Sequence, residues 1–145
     1  MLEDRFCTQS EGQIRVTLSP QDMVNCDLEN FGCSGGYFIP AIDFLQTDGA
    51  TTNKCVPYLN KVDTCLFRCQ DPNNSYEKYY CKRNSFKMHT SVEDIQREIY
   101  ENGSVMVGLE VYEDMYSYKE GIYHYTAGGL IGGHAIRAFG WGHDE

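Results

Sequence analysis

Nowhere in these 145 residues is there an apolar run approaching the ~20 that a membrane-spanning helix needs. Positive charge is scarce as well: 12 Lys and Arg stand against 21 Asp and Glu, for a formal net charge of −9, and no basic cluster breaks the balance. That argues against nucleic acid or an anionic membrane as partner, because both are held by cations. The opening Met1-Leu2-Glu3-Asp4-Arg5-Phe6-Cys7 lacks the profile of a secretory leader and reads instead as the end of a helix. Internal repeats and low-complexity tracts are missing. Cys65-Leu66-Phe67-Arg68-Cys69 is followed by no second Cys or His pair at finger-like spacing, which disfavours zinc. No metal or cofactor is expected.

Seven cysteines are present, a number that points to an oxidising compartment and to disulfides. Seven is odd, so at least one thiol stays free. The length suits one domain with a sizeable core. Ser19-Pro20-Gln21-Asp22 is a helix start, with serine as N-cap and proline in the first turn. Phe38, Ala41, Ile42 and Leu45 share one helical face that Gly49 ends, and Ser91-Val92-Glu93-Asp94 opens another helix that stops at Gly103. Residues 50–85 hold four cysteines without clear periodicity and read as a cross-linked connector. The period then changes: Ser104–Tyr112, Ile122–Thr126 and His134–Trp141 are rich in Val, Ile and aromatics and are predicted as strands. Helices first and strands later indicate an α+β fold, divided near residue 85.

Of the four histidines, His134 carries the strongest signal for chemistry. Two glycines precede it, and the alternation after it puts Ile136 and Ala138 on its own side of a strand. A ring anchored at a strand end is held still enough to serve as general base or thiolate partner. His89, His124 and His143 carry no such context and are given no role.

Three segments carry a family resemblance. Gly132-Gly133-His134-Ala135, running on to Gly140-Trp141-Gly142, together with Gly32-Cys33-Ser34-Gly35-Gly36-Tyr37 and the helix end Glu3-Asp4-Arg5-Phe6-Cys7, resembles the papain-like cysteine peptidases, their cathepsin B-like branch most of all. The resemblance covers nearly the whole chain and implies a two-lobed fold, a helical lobe of about 1–85 and a β-barrel-like lobe of about 86–145, truncated at both ends. It implies that His134 is the catalytic histidine of a Cys-His pair. Gly35 and Gly36 would form the backbone edge that receives extended peptide, Tyr37, Gly108 and Ala135 would line the main specificity pocket, and Trp141 would lie near the strand supporting the site. Cys33 would be a structural half-cystine rather than a nucleophile. The family's Cys-Gly-Ser-Cys-Trp signature, about 130–150 residues before its histidine, does not occur here; laying Cys7 on the family's helix puts it some ~7 residues before Met1. The asparagine that orients the histidine would fall beyond Glu145.

The connector resembles the cathepsin B-like pattern too, which implies Cys26–Cys65 and Cys55–Cys69 bridges, with Cys81 lacking a counterpart. That branch carries a histidine-bearing occluding loop in this region. Here nine residues separate Cys55 from Cys65 and none is histidine, which implies an open cleft and endopeptidase action. Expected partners are a peptide or protein substrate and protein inhibitors or a propeptide, in a lysosomal, vacuolar or extracellular setting. The alternative is a catalytically inactive peptidase-like binding or structural protein. Asn73-Asn74-Ser75 and Asn102-Gly103-Ser104 are glycosylation sequons.

Overall fold

The structure, a computed structural model, describes residues 1–143. Four α-helices precede and lead into a two-stranded antiparallel sheet: α1 (Leu2–Gln9), α2 (Pro20–Cys26), α3 (Phe38–Thr47), α4 (Val92–Asn102), β1 (Val105–Tyr112) and β2 (Leu130–Ala138). Mixed α and β content with this order is the α+β arrangement the sequence predicts.

Local chemistry accounts for the helix starts. Ser19 and Ser91 cap α2 and α4, their hydroxyls accepting the amides of Asp22 at 3.0 Å and Asp94 at 3.1 Å, and Pro20 occupies the first turn of α2. The apolar face of α3 buries Phe44 and Leu45 against Leu18 and Ala50, with Met23 and Tyr79 packed around them. Helix α2 buries polar side chains as well. Gln21, Asp22 and Asn25 on α2 are buried and spend their side chains on backbone: Gln21 binds Leu59 N–H and the Lys61 carbonyl, and Asn25 binds Asp63 N–H and the Thr64 carbonyl. Helix α2 thereby serves as a template for the irregular segment 59–64, whose backbone has no ladder of its own.

Two disulfides lock the same region, Cys26–Cys65 and Cys55–Cys69, closing stretches of 39 and 14 residues. Loops of these lengths correspond to about 3–4 kcal/mol each in the chain-entropy picture. Cys55, Val56 and Cys69 form a second small core. Cys7, Cys33 and Cys81 are free thiols. Burial pushes the Cys81 thiol up from its ordinary range, against the field of Arg5.

Helix α1 bridges the two halves through three consecutive side chains. The Glu3 carboxylate accepts Leu18 N–H in the helical half. Asp4 accepts the Ser104 hydroxyl at 2.6 Å and Arg137 Nη1 at 2.8 and 3.0 Å, while Arg5 donates to the Ser104 carbonyl at 3.1 Å and to Glu98 at 3.0 Å. Between the halves, residues 82–88 are exposed and outside any element.

Two of the predicted strands need correction. Ile122–Thr126 is not a strand: Asp114 accepts the Thr126 and Ala127 amides, the Thr126 hydroxyl and the Tyr123 hydroxyl, which folds the segment into a side-chain-tethered loop. The final strand runs Leu130–Ala138 rather than His134–Trp141. Its partner β1 begins at Val105, opposite Ala138, because the chain turns at Gly103 to leave α4, so among the described residues Phe139–Trp141 pairs with no strand. Among the described residues the sheet has two strands and does not close into a barrel.

Candidate active site

The β1–β2 register sets Leu109 opposite His134 and Gly108 opposite Ala135. His134 therefore sits mid-strand, its backbone fixed by the ladder. Its side chain is exposed, and among the described residues no hydrogen bond or ion pair engages it. The contrast with His89 is direct: that ring is half-buried, 3.5 Å from Glu98, close enough for an ion pair although its Nε2 is not aligned for a hydrogen bond. An imidazole on a rigid sheet with both nitrogens uncommitted is free to exchange protons with a bound group.

Gly108 joins this strand to the helical half. A Cβ at Gly108 would lie 3.5 Å from the Phe38 ring, so Phe38, the first residue of α3, packs over the glycine that pairs with Ala135. Two residues before Phe38 comes Gly36. The chain thus runs from the glycine-rich bend straight into the contact with β1. The structure brings Gly108 and Ala135 into register beside His134 and puts Gly35, Gly36 and Tyr37 on the segment leading into Phe38.

That bend is held by a device the sequence did not advertise. Asn30 Oδ1 accepts the Tyr37 amide at 2.6 Å, while its Nδ2 donates to Asp27 at 2.6 Å and to the Tyr37 carbonyl at 3.3 Å. The Phe31 amide donates to the Gly35 carbonyl at 3.0 Å, and Gly35 adopts φ +101°, which disfavours any residue with a Cβ. At Gly36 a Cβ would run into the Asn30 side chain. Among the described residues the Gly36 amide and carbonyl have no hydrogen-bond partner, leaving backbone valence open for an added extended chain. Tyr37 is exposed, with its ring edge-on to Phe31. The only sequence trace of the Asn30 clamp is the Asp27…Asn30 spacing ahead of Gly32, too common to single out.

Trp141 is exposed beyond the end of β2. Cys33 lies in the exposed turn Gly32–Ser34. Elsewhere, Asp114, Tyr118, Tyr123 and His124 line an open cavity of about 380 Å³ beside the tethered loop. Hydrogen bonds from the Tyr123 hydroxyl and the Thr126 amide hold the Asp114 carboxyl down at about 2, and the same contact pushes the Tyr123 phenol up to about 12. Among the described residues no cluster of His, Cys, Asp and Glu is arranged to hold a metal.

The family model for papain family cysteine proteases matches residues 1–145. Cathepsin B-like cysteine proteinase 3 of Caenorhabditis elegans is 37% identical over 166 residues, covering 98% of this chain and 45% of that protein. The structure of procathepsin B S9 from Trypanosoma congolense superposes with a TM-score of 0.84 at 28% identity, over 94% of this chain and 48% of that one. A Carica candamarcensis cysteine protease in complex with E-64 shares the fold, at a TM-score of 0.76 and 18% identity over 97% of this chain and 63% of the other. The chain spans about half the length of the curated relatives it matches.

Proposed function

Because the chain belongs to the papain family of cysteine proteases, we propose that it forms part of a cathepsin B-like cysteine endopeptidase in which His134 is the proton-transfer residue. The observation that carries this reading is the exposed His134 ring on β2, engaged by no side chain among the described residues, one residue from Ala135 and its register partner Gly108. In this mechanism the His134 imidazole takes the proton of a cysteine thiol, pairs as imidazolium with the thiolate, and returns the proton to the leaving amine when the peptide bond breaks. The substrate backbone pairs along Gly36, whose amide and carbonyl stay open, and its side chain enters beside Tyr37, Gly108 and Ala135, where two of three residues are small.

The nucleophile is not one of the free thiols of this chain. Cys7 lies well inside α1, away from the helix N-terminus that would favour a thiolate, and Cys81 is held protonated by burial. Cys33, a free thiol on the exposed turn, is in this reading a half-cystine whose partner belongs to the same segment as the nucleophile. The nucleophile is supplied by residues outside these 145, and the chain alone has no peptidase activity. With nine residues between Cys55 and Cys65, the cleft stays open to internal peptide bonds. Propeptide, protein inhibitors and E-64-like epoxides are its expected partners, and a lysosomal, vacuolar or extracellular setting suits its disulfides.

The test compares the 145-residue chain with the same chain joined to its upstream and downstream coding sequence. The longer protein cleaves an arginyl fluorogenic peptide and is labelled by an epoxide inhibitor; the 145-residue chain does neither. H134A in the longer protein lowers kcat/KM by about 10³-fold or more. Retained turnover in H134A, or epoxide labelling of Cys33 with turnover in the short chain, overturns the assignment.

A further inference from the structure

The two sequons sit in opposite environments. Asn73 lies at the tip of an exposed β-turn, Asp71-Pro72-Asn73-Asn74, closed by Asn74 N–H to the Asp71 carbonyl at 3.1 Å. Asp71 Oδ1 accepts both the Asn73 amide and its side-chain Nδ2, each at 2.9 Å. Ser75, the hydroxyl residue of this triplet, is exposed and among the described residues donates only to Glu77, at 3.2 Å. The second triplet is closed off: Ser104 is 4% exposed and its hydroxyl is committed to Asp4. Asn102 is the half-buried last residue of α4, and a Cβ at Gly103 would lie 3.4 Å from Thr8 on α1, so that helix end rests against α1.

We propose that Asn73 is an N-linked glycosylation site and that Asn102 is not. The oxidising route required for Cys26–Cys65 and Cys55–Cys69 is the route on which such sugars are added, so the proposal does not depend on the peptidase reading. The donor is a lipid-pyrophosphate-linked oligosaccharide. Asn73 Nδ2 bonds to the anomeric carbon, the carbon–oxygen bond to pyrophosphate breaks, the lipid pyrophosphate leaves with the bonding pair, and one Nδ2 proton passes to base. The glycosylated amide keeps one N–H, enough to retain the Asp71 contact. At Asn102 a sugar would have to stand in the seam between α1 and α4, where Arg5 reaches Glu98.

The experiment directs the full 145-residue chain into the secretory pathway of a eukaryotic host through an appended leader, then reads intact mass before and after peptide-N-glycosidase, on secreted and microsomal protein alike. The expected result is one enzyme-removable glycan, present in wild type, in N102Q and in S75T, and lost in both N73Q and S75A. Two independent lesions, at the acceptor and at the hydroxyl, guard against a folding defect in either. An unmodified wild-type mass, or a glycan that persists in N73Q and disappears in N102Q, overturns the proposal.

Discussion

Lys78 is the cation that allows Asp22 to be buried. The Asp22 side chain is 1% exposed, and its carboxylate accepts Lys78 Nζ at 2.7 Å and Thr51 N–H at 3.0 Å. The ammonium lies 5.6 and 5.7 Å from the centres of the Phe44 and Tyr76 rings and reaches the Gly49 carbonyl, so the pair ties α2 to both ends of the connector. Removing the cation leaves an uncompensated buried charge, so K78M is expected to lose about 3–5 kcal/mol of unfolding free energy in denaturant titration. A loss under 1 kcal/mol would show that water reaches Asp22. Nothing in the sequence marked this pair, whose members are separated by 56 residues. Asn30 escaped for the same reason: its worth lies in reaching Tyr37 through space, whereas His134 and the Gly35-Gly36 bend announce themselves by local glycine context.

At the scale of elements, the two capping serines share a motif but not a cost. Ser91 caps an exposed helix start, whereas Ser19 is fully buried and its hydroxyl also donates to the Val56 carbonyl. S91A should cost about 1 kcal/mol, the usual loss for a cap. S19A should cost about 2–3 kcal/mol, because a buried carbonyl loses its donor as well; equal losses from thermal melts would refute the distinction. Both helices were legible because caps and 3.6-residue spacing are local. The 122–126 segment was not, since its β-branched and aromatic residues suit a strand and only the distant Asp114 folds them into a loop. That tether has a pH window. Asp114 is depressed from 3.8 to about 2, so its contribution is complete above about 4 and fades as pH falls toward 2. Tyr123 is raised from 10 to about 12, so the same hydrogen bond is complete below about 10 and fades as pH rises toward 12. Amide shifts of Thr126 and Ala127 should stay flat between those limits and move outside them; a midpoint near 4 for Asp114 would contradict the tether.

At the scale of the molecule, α1 is tied to α4 and β2 by ion pairs and hydrogen bonds as well as by packing. Burial pushes both Asp4 and Glu98 up, yet each ends below the usual carboxylate range: the Ser104 hydroxyl, the amino terminus and Arg137 outweigh burial at Asp4, and Arg5 and His89 outweigh it at Glu98. Carboxyls depressed in the folded chain stabilise it above their ordinary values and lose that contribution as pH drops through the folded ones. The exposed stretch 82–88 offers Lys82, Arg83 and Lys87 to a protease without untying any element. Limited trypsinolysis is therefore expected to cut first within 82–88, giving fragments that co-elute at pH 7 and separate below about pH 4. Fragments that stay together in acid strong enough to protonate both carboxyls would mean that apolar contact, not these ion pairs, joins the halves.

All seven cysteines lie at or before Cys81, and both bridges fall within residues 26–69. Stretched between its ends, the chain would therefore pay out in two unequal ways. Everything from α4 onward can unravel to full contour length, whereas the Cys26–Cys65 link withholds its 39 residues, roughly 130 Å at the ~3.4 Å each extended residue spans. Single-molecule traces recorded with and without reductant would differ by that hidden length, and by nothing from the sheet that carries His134.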